Sequence, residues 1–149
     1  MAMSKPEIKN RSAYHEYFID QKYEAGLVLL GTEVKSIRNG KVSFNDSYCL
    51  LHKGEAWLKS LHIAEYSHGN INNHDPLRDR KLLLQKREIK KIESKLKEKG
   101  YTLIPLRIYF NEKSLVKIEI GLAKGKKLHD KRDTIRQKDA EREMKRILK

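Results

Sequence analysis

Two apolar stretches late in the chain, YTLIPLRIYF (101–110) and SLVKIEIGLA (114–123), are separated only by Asn111-Glu112-Lys113. In the second, Val116, Ile118, Ile120 and Leu122 alternate with Lys117, Glu119 and Gly121, the period of a strand with one face buried. A hairpin of this kind needs more strands or a helix to cover its apolar face. Pro105 has no amide hydrogen to contribute to a ladder and is expected at an edge or a bulge.

The covering strands are found upstream. Lys53-Gly54 lies between SYCLLH and EAWLKSL and reads as a hairpin turn, and a further strand is expected from His62 to Tyr66. Aromatic and polar residues alternate in Tyr14 to Ile19, which reads as the first strand, and YEAGLVLLG supplies a second apolar run. TEVKSIRNG then reads as a short helix: Thr32 can cap it, Glu33 suits its first turn, Val34 and Ile37 share a face, and Asn39-Gly40 stops it. SHGNINNHDP (67–76) has the composition of a surface loop. It leads into LRDRKLLLQKREI and a helix with Ile89, Ile92 and Leu96 on one side, ended at Gly100. The expected fold is mainly β: six antiparallel strands closed into an OB-like barrel, with two or three short flanking helices.

The last 25 residues, Gly125 to Lys149, contribute nothing to a core. They hold ten Lys/Arg against five Asp/Glu and no large aromatic, which leaves +8 of the +13 net charge on the preceding residues. Lys138, Arg142, Lys145 and Lys149 follow at helical spacing, with Ala140, Met144, Ile147 and Leu148 on the opposite side. Such a segment is expected to be disordered when free and helical against a partner. The reading divides the chain into a flexible leader (1–9), one barrel domain (10–124) and a basic tail (125–149).

A basic surface at pI 9.8 attracts polyanions: nucleic acid, with RNA favoured over DNA, or an acidic membrane. No apolar run approaches the roughly 20 residues that span a bilayer, and MAMSKPEIKN has no apolar signal segment, so a cytoplasmic location is expected. Cys49 is the sole cysteine and sits in the apolar run YCLL, which suits a small buried hydrophobe. The six histidines lack the spacing of a zinc site, and no metal or cofactor is expected. The signatures of common hydrolases and nucleotide sites are absent. His74-Asp75 near Arg78 and Lys81 could in principle serve a nuclease, but reads better as loop and phosphate-contact residues. Basic residues beside small or aromatic ones mark places where RNA could approach: Asn10 and Arg11 before the aromatic segment, a small-residue turn at Glu24-Ala25-Gly26, Arg78, Arg80 and Lys81 after the loop, and Gly125-Lys126-Lys127 after the last strand.

The segments NRSAYHEYFI, YEAGLVLLGTEVKSIRNGK, DSY with GEAWL, HI, NHDPLRDRKLLLQKREI, GYTLIPLRIYF and GLAKGKKLHDKRD resemble, in order and over about residues 10 to 149, the SsrA-binding protein (small protein B) family. The resemblance implies an oligonucleotide-binding-like barrel and a non-enzymatic protein. Such a protein binds the tRNA-like domain of transfer-messenger RNA (tmRNA) and delivers it to stalled ribosomes for trans-translation. Elongation factor Tu and alanyl-tRNA synthetase would be met indirectly, through the same RNA. The family's RNA face falls on Asn10, Arg11, Glu24, Lys81 and Leu83; charge and position add Arg78 and Arg80. The resemblance also implies that the tail occupies the small-subunit decoding centre and the empty mRNA channel. There His129 would stack on a nucleobase, with Lys126, Lys127, Lys131 and Arg132 on phosphates and Gly125 and Asp130 in the same junction. Lys138, Arg142, Lys145, Ile147 and Leu148 follow it into the channel. A general ribosomal-RNA-binding OB-fold translation factor is the alternative.

Overall fold

The computed structural model describes residues 6–68 and 73–125. The elements are β1 (Glu7–Lys9), α1 (Arg11–Glu16), β2 (Tyr17–Leu27), α2 (Gly31–Arg38), β3 (Val42–Ser43), β4 (Tyr48–His52), β5 (Glu55–Lys59), β6 (His62–Ile63), β7 (Arg80–Leu83), α3 (Lys86–Leu96), β8 (Tyr101–Phe110) and β9 (Val116–Gly125). The main sheet runs β1-β8-β4-β5-β7-β2-β9, and β9 pairs again with β8, giving a ring-like sheet with β1 on its flank. All its pairings are antiparallel. The protein is mainly β, with three helices among the described residues.

Several elements follow directly from their sequence. Lys53 (φ 51°) and Gly54 (φ 75°) are both left-handed, the turn whose twist suits a two-residue hairpin between β4 and β5. Gly40 (φ 72°) ends α2 and Gly100 (φ 90°) follows α3, conformations that cost glycine little. Ile92 anchors α3 in the core with Leu96 packed beside it. Cys49 is buried in that core, where burial pushes its thiol pKa up.

Four expectations are corrected. The leader is not wholly loose, because Glu7–Lys9 pairs with β8. The strand expected at Tyr14 begins only at Tyr17, since residues 11–16 form α1. Asn10 fixes that helix: its amide donates to Leu106 O (2.7 Å) and its Nδ2 to Pro105 O (2.8 Å), while Ala13 is buried against Ile104, Leu106 and Ala123. The strand expected over His62 to Tyr66 shrinks to His62–Ile63 and pairs with β3. Beyond it, the Asn73 side chain takes both the N–H and the C=O of Tyr66 (3.1 and 2.8 Å), removing those groups from any ladder. Thr32 does not cap α2, whose N-cap is Leu30; Glu33 accepts the Leu30 N–H (2.7 Å).

Two bulges divide the apolar residues between two cores. The ladder slips between Ile19 and Gln21 on β2, and between Pro105 and Arg107 on β8. Each slip reverses which side chains face inward. Tyr23, Ala25, Leu103, Ile108, Ile118 and Ile120 belong to the main core, whereas Tyr17, Ile19, Ile104, Leu106 and Ala123 pack with Ala13 of α1. Gly121 lies where Leu106 and Ile19 close in, leaving only 2.9 Å and 3.2 Å to an added Cβ.

The connection from β6 to β7 is held by a buried ion network. Glu33 and Arg80 are fully buried. Arg80 Nε donates to Glu33 Oε2 (2.6 Å), Nη1 to Leu61 O (2.6 Å) and Nη2 to Pro76 O (3.1 Å). Arg78 Nη2 donates to Glu33 Oε1 (2.6 Å) and to Val28 O (3.1 Å). Burial alone would raise the Glu33 carboxyl, but the bonds from Arg78, the Leu30 amide and Arg80 outweigh it and hold the group below its ordinary 4.5. Burial also moves Arg80 downward, although an arginine stays charged in a protein.

Glu33→Ala leaves Arg80 buried without its partner and is expected to cost about 3–5 kcal/mol in urea unfolding. Because the folded carboxyl is the more acidic one, its contribution is complete above about pH 4.5 and is lost as pH falls through the lower folded value. Stability measured from pH 6 downward should therefore fall less steeply in Glu33→Gln than in the parent chain.

Candidate nucleic-acid interface

The outward residues of β7, β2, β9 and β8 form one strip. On β7, Arg80 and Leu82 point inward while Lys81 and Leu83 point outward, as burial shows. Leu83 pairs with Gly26 of β2, and a Cβ on Gly26 would meet Leu83 Cβ at 3.3 Å, so glycine lets Leu83 lie close over the strand. Glu24 is exposed two residues along β2 and directly opposite Glu119 of β9. Next on that strand, Lys22 reaches Glu119 (3.9 Å) and sits over the Tyr14 ring of α1 (5.5 Å). In the other direction the Val28 amide donates to Lys81 O (3.1 Å). Glu24 and Lys81 thus stand at two ends of the β2–β7 contact, about 13 Å apart along the strands, with exposed Leu83 between them.

Of the residues assigned to the RNA face, Glu24, Lys81 and Leu83 share this strip. Lys81 pairs with Glu55. Arg78 is partly exposed beside Val28, but two of its nitrogens are engaged by Glu33. Arg80 is corrected: it is fully buried with its donors on Glu33 and on main-chain carbonyls, so it positions β7 and offers nothing at the surface. Asn10 is committed to Pro105 and also accepts from Ser12 Oγ (3.0 Å); Arg11 is exposed at the start of α1. Glu24-Ala25-Gly26 is strand interior rather than a turn. Gly125 ends β9 opposite Tyr17, and the assignments from Lys126 to Leu148 lie outside the described residues.

The reading missed Tyr109, Arg107, Lys22 and Tyr14. Tyr109 donates its hydroxyl to Glu24 Oε2, and the Arg107 guanidinium lies 4.0 Å from the Tyr109 ring centre. The signal was available on β8, where Arg107 and Tyr109 alternate with buried Ile108 and Phe110.

His74 is almost fully buried. Its Nε2 faces Ile63 O (2.8 Å) and so must donate, and its Nδ1 is paired with the Thr32 hydroxyl (2.9 Å). That commitment removes it as a surface general base for the nuclease alternative. Among the described residues no three His, Cys, Asp or Glu gather as a metal site, and no helix is long and apolar enough to cross a membrane.

A small, basic, mainly β protein with cations, aromatic rings and a carboxylate acceptor on one outward strip is of the polyanion-binding class. Over residues 7–149 the chain matches the family described as SmpB protein, and it belongs to that family. It is 57% identical over 140 residues to the SsrA-binding protein of Fervidobacterium nodosum, covering 94% of each chain. The SsrA-binding protein of Geobacillus kaustophilus is 52% identical over 141 residues, covering 95% of this chain and 90% of that one. A solved chain from "tmRNA-SmpB: a journey to the center of the bacterial ribosome" superposes with TM-score 0.70 at 50% identity, covering 81% of this chain and 85% of that chain.

Asn10→Ala removes the bond to Pro105 and should lower stability by about 1 kcal/mol. Affinity for RNA should change only as far as α1 loosens, which calorimetry and a binding titration on the same variant would separate; a large affinity loss with unchanged stability would make Asn10 a direct contact.

Proposed function

We propose that this chain binds the tRNA-like domain of tmRNA through the β7–β2–β9–β8 strip and delivers that RNA to stalled ribosomes for trans-translation. The observation that carries the reading is identity above one half with SsrA-binding proteins across 94% of the chain, together with the grouping of Glu24, Leu83 and Lys81 on one outward surface. In this reading the ring-like sheet is a closed, six-stranded OB-like barrel. The protein is a binding factor with no catalytic step and acts in the cytoplasm.

The parts divide the work by their chemistry. Lys81, Lys22 and Arg11 supply charge to phosphates and hence affinity that falls with salt. Leu83 packs on a base or ribose, and Glu24 accepts a hydrogen bond from a base amino group or a 2′-hydroxyl. Arg78 gives partial exposure at the Lys81 end. The tail reads the ribosome: Gly125, Lys126, Lys127, Asp130, Lys131 and Arg132 border the decoding centre, where His129 stacks on a base. Lys138, Arg142, Lys145, Ile147 and Leu148 follow the empty mRNA channel. Elongation factor Tu and alanyl-tRNA synthetase meet this protein only through the RNA they share.

The test is a gel-shift titration of the full chain and of a truncation after Arg132, against tmRNA and an equal-length control RNA at two salt concentrations. Both forms should prefer tmRNA, and Glu24→Ala combined with Lys81→Ala should abolish most of that preference. His129→Ala and the truncation should bind tmRNA nearly as the parent does yet fail to support tagging on stalled ribosomes. Equal affinity for both RNAs would leave a general ribosomal-RNA-binding factor; loss of tmRNA binding on truncation would refute the division between sheet and tail.

A further inference from the structure

The strip contains two carboxylates in unequal surroundings. Glu24 of β2 and Glu119 of β9 are directly opposite each other, an arrangement of like charges that is unfavourable unless something compensates it. Compensation goes to one of them. Arg107 Nε is 3.4 Å from Glu119 and Lys22 Nζ is 3.9 Å from it. Glu24 is in no ion pair among the described residues, where its one hydrogen bond is accepted at Oε2 from the Tyr109 hydroxyl.

Tyr109 is itself fixed from two sides. The Arg107 guanidinium lies 4.0 Å from its ring centre, and Arg107 in turn is tied to Glu7 of β1 (3.4 Å) as well as to Glu119. Burial, then the bond to Glu24 and its charge, push the Tyr109 phenol well above its ordinary range, so it is a neutral donor at any physiological pH. A carboxylate held at one oxygen loses part of its rotational freedom, and its second oxygen is left as an acceptor.

We propose that Tyr109, braced by Arg107, is a positioning residue for RNA recognition: it holds the Glu24 carboxylate so that Oε1 accepts from a base amino group or a ribose 2′-hydroxyl. The group recognised is a hydrogen-bond donor and not a phosphate, because a second anion would face both carboxylates. The selectivity of the strip therefore resides in the uncompensated acid, while the surrounding cations provide charge attraction without discrimination. This inference rests on the proposed role of Glu24 at the RNA face.

The experiment is a double-mutant cycle on the full-length chain, with Tyr109→Phe and Glu24→Ala measured singly and together by filter binding to tmRNA at fixed salt. Tyr109→Phe is expected to weaken binding about tenfold, within the worth of one hydrogen bond to a charged group. The slope of affinity against salt should be unchanged, since no cation is removed. In the Glu24→Ala background the same change should have no further effect. An equal loss in both backgrounds, or no loss from Tyr109→Phe while Glu24→Ala weakens binding, would overturn the positioning role and leave Glu24 as an RNA contact. If Glu24→Ala alone had no effect, the role of Glu24 and this inference would fall together. Glu24→Met, which keeps the side chain's length but cannot accept the Tyr109 bond as the carboxylate does, repeats the cycle should the alanine variant fold poorly.

Discussion

The buried contact between Glu33 and Arg80 is the constraint on which the proposed RNA surface depends. Strand β7 is only four residues long, so its register cannot come from local propensity. Arg80 sets it from inside, gripping Glu33 of α2 and the carbonyls of Leu61 and Pro76. Once Arg80 points inward, strand alternation sends Lys81 and Leu83 outward. A buried pair of this kind adds little net stability compared with an apolar replacement, but it tolerates only one arrangement of its hydrogen bonds. Its value to this fold is the fixed position of β7.

On the proposed reading, the same surface lets a strongly basic protein discriminate. The net charge of +13 would draw the chain to any RNA, and charge attraction alone carries no sequence or shape information. The strip carries groups that are not generic: an exposed leucine laid close over Gly26, a tyrosine braced by an arginine, and a glutamate with no counter-ion among the described residues. The two bulges give this arrangement its outline. By turning Ile19 and Leu106 toward α1 they form a second small core, which places the Tyr14 ring of that helix beside Lys22 at one end of the strip.

Much of the architecture was legible where a local pattern coincided with the final packing. The Lys53-Gly54 turn, the long β8–β9 hairpin, the bulge at Pro105 and the apolar face of α3 each follow from spacing or from one residue's backbone preference. The failures share a physical origin in contacts distant along the chain. Residues 14–19 alternate like a strand, yet residues 11–16 form a helix, because Asn10 and Ala13 are claimed by β8, nearly a hundred residues away. Residues 64–66 continue an apolar run, yet Asn73 takes the backbone of Tyr66. Of the candidate site, Glu24, Lys81 and Leu83 fall on one surface, but Arg80, placed outside on its charge and position, is buried. A cation beside a leucine run gives no sign of whether a buried carboxylate awaits it. Tyr109 was missed because its bond to Glu24 exists only through the pairing of β8 with β9 and β9 with β2.

The most direct test of the account is hydroxyl-radical footprinting of the full-length chain, free and bound to tmRNA. Tyr14, Leu83 and Tyr109 lie along the strip, while Tyr48, 45% exposed, is on β4, which contributes no residue to it. Oxidation of the first three should fall on binding and that of Tyr48 should not. Protection of Tyr48 with Leu83 and Tyr109 as reactive as in the free protein would contradict it, and would move the RNA to another side of the sheet.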